Sequence, residues 1–193
     1  MVYLWVEINL DASSVELSSA IRKIERVVEK APCLEQLRLD VFSSGIGVRD
    51  LFFNSSSLRS LQLGDPKEAM HCDSKCHVFS IGDNVNCPNL TALEMTIPHL
   101  GNPFDPLLIA EGRTFATIED LTLIIVQPTS AREEDQGSGH SFAQKILNAI
   151  GQMPKLKSMH LHQTFDSLKT LALNSTSVEK VTIAEGCDVR DTS

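Results

Sequence analysis

The residues best suited to chemistry are the cysteines and histidines of His71-Cys72-Asp73-Ser74-Lys75-Cys76-His77. Thiolates with three residues between them, flanked by imidazoles, have the ligand types and spacing of a structural zinc site. Cys87 lies close enough in sequence to add a third thiolate. No second spaced pair accompanies them, so no metal is assigned; a zinc-stapled or metal-sensing domain built on Cys72, Cys76, His77 and Cys87 is the alternative reading. His160 and His162 stand two apart, a strand spacing that puts both rings on one side, where they can bind a metal or act as a pH-sensitive contact. Two ligands do not complete a site, and both are read as partner contacts. Gly-x-Ser-x-Gly, a phosphate-binding glycine loop and His-Glu-x-x-His are all missing, and Gly45-Ile46-Gly47 lacks the third glycine of a dinucleotide site. The chain is expected to be neither an enzyme nor a cofactor binder.

The composition narrows the partner. With 193 residues, 42% of them hydrophobic and 22% charged, the chain suits a single domain able to bury a real core. A formal charge of -8 disfavours nucleic acid and anionic membrane, whose phosphates demand clustered Lys and Arg. The opening Met1 to Leu10 contains Glu7 and no basic start, so it does not read as an export signal. No apolar run reaches the roughly 18 residues of a membrane span. Five cysteines are an odd number; with no export signal they suit reduced thiols in an intracellular protein, cytoplasmic or nuclear.

The elements that must position these residues follow from a repeat. The pattern L-x-x-L-x-L recurs as Leu34, Leu37, Leu39; Leu58, Leu61, Leu63; Leu90, Leu93, Met95; Ile118, Leu121, Leu123; Leu156, Met159, Leu161; Leu168, Leu171, Leu173; and Val178, Val181, Ile183. Trp5, Ile8 and Leu10 form a degenerate first copy. The copies ending at 10, 39, 63, 95, 123 and 161 are spaced for one strand plus one helix each. Those ending at 161, 173 and 183 are too close for three parallel strands, which need crossovers of about a dozen residues. Leu168 to Leu173 is therefore read as a return segment, leaving 22 residues between Leu161 and Ile183. Pro32, Pro88 and Pro154 each stand two residues before the first Leu of a copy, as shared helix stops.

Between copies the pattern changes to helical. Leu17, Ile21, Ile24 and Val28 make an apolar stripe over Ser14 to Lys30, and Ser13 with Glu16 has the spacing of a capping box. Ser141 with Gln144 opens a second helix to Met153, and Asp105-Pro106 a shorter one. The connections Gly64 to Asn89 and Gln127 to His140 are longer than the repeat requires. They are expected as insertions, at about 64–89 and 127–140, the second a polar loop around residues 131–139.

At Pro32-Cys33-Leu34-Glu35-Gln36-Leu37-Arg38-Leu39-Asp40 and Cys87-Pro88-Asn89-Leu90-Thr91-Ala92-Leu93-Glu94-Met95 the chain resembles the leucine-rich repeats of F-box proteins and their ribonuclease-inhibitor-like relatives. The resemblance covers nearly the whole chain. It implies an α/β horseshoe, a solenoid with parallel concave strands and convex helices, forming a single domain over 1–193. It also implies a protein ligand on the concave face, as in the substrate-recognition part of a ubiquitin ligase. No F-box precedes the repeats, whose first strand begins almost at Met1. The chain is thus expected to be a fragment with more protein at its N-terminus, or a stand-alone repeat protein.

In this repeat the leucines point to the core and strand alternation sends the residues between them to the concave face. The partner-binding candidates are Glu7, Asp11, Arg38, Asp40, Gln62, Glu94, Asp120, His160 and His162, with Asn9, Gln36, Ser60, Thr96, Thr122 and Ser158 among them. Glu7, Asp11, Asp40, Glu94 and Asp120 face only Arg38, so the expected ligand is a protein with a basic surface.

Overall fold

The fold was obtained as a computed structural model, which describes residues 2–10, 14–43, 47–64, 77–80, 85–98, 113–126, 153–163 and 178–185. Seven strands form one parallel sheet: β1 (Val2–Leu10), β2 (Leu34–Ser43), β5 (Ser60–Leu63), β8 (Ala92–Pro98), β9 (Asp120–Val126), β10 (Ser158–Gln163) and β11 (Lys180–Glu185). They lie side by side in chain order, each beside its predecessor. The molecule is α/β.

The register reproduces the sequence repeat. Leu37, Leu61, Leu93, Leu121, Met159 and Val181 face one another across successive strands, as do Leu39, Leu63, Met95, Leu123, Leu161 and Ile183. A ladder of backbone bonds marks where each strand begins. The N–H of Arg59 donates to the carbonyl of Glu35, Thr91 to Arg59, Glu119 to Thr91, Lys157 to Glu119 and Glu179 to Lys157. β10 and β11 are direct neighbours, with Leu161 opposite Ile183.

A turn precedes β2, β5, β8, β9 and β10 and seats the first apolar residue of each copy. The N–H of Leu34 reaches the carbonyl of Ala31, Leu90 that of Cys87, Leu156 that of Met153 and Ile118 that of Phe115. Pro32, Pro88 and Pro154 occupy the second position of three of these turns, where a fixed φ near −65° suits the geometry. At Leu58 the Ser55 hydroxyl accepts the same N–H at 3.2 Å. The prolines therefore mark the turn itself. A helix stops ahead of Pro32, whereas a strand runs up to Pro88.

The predicted first helix is present as α1 (Ser14–Glu29), with Leu17, Ile21 and Val28 buried and Ile24 partly so. Glu25 is 8% exposed on the same helix and accepts the Phe52 N–H at 2.8 Å, tying α1 to the next return segment. Burial raises its pKa, and the bond from Phe52 opposes that. The return segments after β2 and β5 differ from α1. β3 (Gly47–Asp50) pairs with β6 (His77–Ser80), and β4 (Phe53–Asn54) with β7 (Val85–Asn86), both in parallel. Part of the 64–89 connection is thus built into a second parallel layer. Arg113–Thr117 forms a 3-10 helix before β9. The helices read at 105–106 and 141–153, the loop at 127–140 and the segment Leu168 to Leu173 lie outside the described residues, apart from Met153, which is buried.

One continuous core holds these parts together. It joins the leucine face of the large sheet to Leu17, Ile21 and Val28 of α1, to Leu51, Phe53 and Val85 of the return segments, and to Phe115. Fully burying one such side chain stabilises by about 1.5–3 kcal/mol, and here the same contribution recurs strand after strand.

The first copy requires a correction. Leu4 pairs with Leu37 and Val6 with Leu39, so these two, and not Ile8 and Leu10, hold the repeat's leucine positions in β1. Trp5 pairs with Arg38 on the opposite face and is 55% exposed. Apolar residues at five consecutive positions, Val2 to Val6, leave the strand's period unreadable, and only pairing with β2 settles which side turns inward.

Candidate functional site

The side of the sheet opposite the leucines carries the polar residues in three rows across the strands. The middle row runs Trp5, Arg38, Gln62, Glu94, Thr122, His160 and Thr182. Nearer the strand starts lie Tyr3, Gln36, Ser60, Ala92, Asp120, Ser158 and Lys180. The row nearer the strand ends holds Glu7 beside Asp40, and Thr96, Ile124 and His162 in succession. Strand alternation makes this arrangement unavoidable once the leucines face the core.

A linked cluster of side chains lies on β1 and β2. Asp40 Oδ2 accepts the Trp5 indole N–H at 2.8 Å and the Arg38 Nε–H at 2.7 Å. The Arg38 guanidinium also sits over the Trp5 ring, 5.0 Å from its centroid. Indole and guanidinium are each held by the same carboxylate, so the exposed ring has a fixed position. Further along the middle row, Gln62 Nε2 donates to Glu94 Oε1 at 2.8 Å. Burial raises the pKa of Glu94, while Arg38, His162 and the Gln62 bond oppose the rise and Asp40 adds to it. Ser158 Oγ and His160 Nε2 are 3.2 Å apart.

Arg38, Gln62, Glu94, Asp120, His160 and His162 all lie on this face, and Glu7 is exposed on it. Asp40 corrects the sequence reading. It is 0% exposed beneath Trp5 and Arg38, so it is an internal anchor and not a contact for a ligand. Thr96 is buried in the same row, at 9% exposure. Both residues point to the expected face, but the side chains around them on β2 and β8 cover them. Neither Asp40 Oδ1 nor Thr96 Oγ1 has a hydrogen-bond partner among the described residues. Asp11 lies outside the described residues, as do Cys72 and Cys76; His77 opens β6, where its backbone pairs with Gly47.

Tyr3, Trp5, Lys180 and Thr182 on the face escape the sequence reading. Tyr3 and Trp5 are hidden by the ambiguous register of β1. Lys180 is legible in principle, since it occupies the position between Val178 and Val181 that is Asp120 in the copy two strands earlier.

Cys87 is 0% exposed in the core, and burial pushes its thiol up to about 11. Cys33 is exposed, because it stands in the turn after Pro32. Among the described residues no three His, Cys, Asp or Glu are grouped to hold a metal ion, and no helix is long and apolar enough to cross a membrane. Comparisons with family models, curated proteins and solved structures returned no match.

Proposed function

We propose that this chain is a non-catalytic protein-interaction scaffold, a leucine-rich repeat solenoid of horseshoe form whose polar sheet face receives a protein partner. One observation carries the reading. Seven parallel strands in chain order present a side-by-side row of Arg38, Gln62, Glu94, Thr122 and His160, backed by an unbroken aliphatic layer. Repetition of one strand-and-return unit supports the solenoid, since each unit buries its leucines only against its neighbours. A broad array of mixed polar groups on rigid strands suits recognition of a surface better than chemistry at a point. The narrower assignment, substrate recognition for an F-box-type ubiquitin ligase inside the cell, rests on the sequence resemblance.

The test is affinity capture with the immobilised chain and identification of retained proteins by mass spectrometry. It is repeated with Glu7→Lys, Asp120→Lys and His160→Glu combined, and circular dichroism checks that the variant folds. These side chains lie on the polar face outside the core, so the fold should survive and the retained proteins should be lost. An unchanged set of captured proteins would eliminate this face as the binding surface.

A further inference from the structure

Two short side chains interrupt the polar face near its middle. In the row nearer the strand starts, Ser60 on β5 and Ala92 on β8 are register partners, with Gln36 on β2 to one side and Asp120 on β9 to the other. Two residues further along the same strands stand Gln62 and Glu94, joined by the 2.8 Å bond from Nε2 to Oε1. The result is a recess two strands wide, floored by a hydroxymethyl and a methyl group and walled by longer polar side chains. It lies on the third and fourth of the seven strands.

The charged walls of this recess have one sign. Glu94 and Asp120 are diagonal neighbours on adjacent strands, their Cα atoms about 8 Å apart. Glu94 is half-buried and its pKa is raised, so Arg38, His162 and the Gln62 bond do not offset what burial costs its anion. Asp40, the other carboxylate acting on Glu94, is already bound to Arg38 at 2.7 Å. Asp120 is exposed, and the nearby Lys157 ammonium pairs with Glu119 at 2.7 Å.

We propose that this recess takes an arginine side chain of the protein partner, its guanidinium lying over Ala92 and donating to Glu94 and Asp120 together. The proposal rests on reading this face as a protein-binding surface and names the group that the surface recognises. Shape selects arginine as much as charge does. A guanidinium is planar with five N–H groups in fixed directions, so it bridges two carboxylates and still reaches the Ser60 hydroxyl, whereas an ammonium is a compact point charge. Weaker hydration lets its flat face rest on the Ala92 methyl. The position also suits an anchor, since the residues that dominate an interface gather near its centre and are enriched in arginine. An anionic group is repelled by both walls, and an aliphatic one would cover two carboxylates without pairing them.

The probe is N-acetylarginine N-methylamide, titrated into the intact chain while backbone amide shifts are followed by NMR. Shifts should gather on β5, β8 and β9 around Ser60, Ala92, Glu94 and Asp120, with an affinity in the low millimolar range that suits so small a ligand. The lysine counterpart should bind about tenfold more weakly, and the neutral citrulline counterpart should leave these shifts unmoved. Ala92→Leu fills the recess and keeps both carboxylates; Asp120→Asn keeps the shape and removes one charge. Each should weaken arginine binding about tenfold or more, with circular dichroism unchanged. Equal shifts from arginine and lysine spread over every carboxylate, or arginine binding that survives Ala92→Leu, would overturn the proposal. Affinity capture separates this from the reading beneath it. Proteins lost with the Glu7→Lys, Asp120→Lys, His160→Glu variant but retained by Ala92→Leu would keep the face as a binding surface and refute the arginine site.

Discussion

Gly64→Ala tests the close approach between strands where β5 ends. Gly64 has a φ of 85°, in the left-handed region, and its N–H donates to the Leu39 carbonyl at 2.9 Å. A non-glycine residue in that conformation costs about 1–2 kcal/mol. A second cost is independent of the first, because a Cβ built on Gly64 meets the Thr96 Cβ at 3.0 Å. Thr96 is buried in the next strand and can yield little, so displacing it adds about 1 kcal/mol, the low end of overpacking penalties. The sum is about 2–3 kcal/mol, which for a chain of this size lowers Tm by roughly 5–10 °C. Thermal unfolding followed by circular dichroism measures the total. A double-mutant cycle separates the parts: in a Thr96→Gly background the clash is gone, and Gly64→Ala should cost only the conformational share. The reasoning fails if Gly64→Ala falls within the about 0.5 kcal/mol typical of neutral surface changes, or if its cost is the same in both backgrounds.

Three further outcomes are expected. Thr96→Val replaces a buried hydroxyl that has no partner among the described residues with a methyl of similar shape, so urea titration should show stability unchanged or raised by up to about 1 kcal/mol. Glu94 has its pKa raised by burial, so the folded state holds this proton more tightly than the unfolded state and the contribution is lost as pH rises through the raised value. Glu94→Gln should therefore gain stability relative to the parent as pH rises from acid to neutral; a parent that gains on the variant over that interval contradicts the assignment. In the native state at mild alkaline pH, iodoacetamide should label Cys33 and spare Cys87, whose thiol is pushed up to about 11 and enclosed in the core; peptide mapping decides between them, and equal labelling of a folded sample refutes the burial.

The strands are legible in the sequence because the leucines do two jobs at once. Their spacing of three and two fixes the strand position, and the residues between them identify the polar face. That is why the repeat alone puts Arg38, Gln62, Glu94, Asp120, His160 and His162 on one side. The return segments are not legible to the same degree, because a helix or a short strand can close a unit equally well. α1 carries its own 3.6-residue stripe and is readable; β3, β4, β6 and β7 are two to four residues long and depend on pairing with one another. Asp40 shows a different failure. Alternation gives the face of a residue, but burial depends on what neighbouring side chains cover it, and here Trp5 and Arg38 close over the carboxylate.

That failure changes the electrostatics of the proposed site. The repeat pattern alone sets five carboxylates against one arginine. In the structure Asp40 is buried and bound to Arg38, Glu94 has its proton affinity raised by burial, and Lys180 joins the face at its far end. The exposed carboxylates among the described residues of the face are Glu7 and Asp120. They lie four strands apart and in opposite outer rows, about 19 Å across the strands and about 13 Å along them, more than two Debye lengths at physiological salt. Each must therefore attract a basic group separately, and no continuous acidic field joins them. Between the two runs the row of Arg38, Gln62, Glu94 and Thr122, where hydrogen-bond geometry and not net charge sets what fits. A partner that reads this face needs basic side chains spaced to reach both carboxylates and neutral polar groups between them. A uniformly basic surface would lose the difference, because Lys180 repels it and the Arg38–Asp40 pair is neutral.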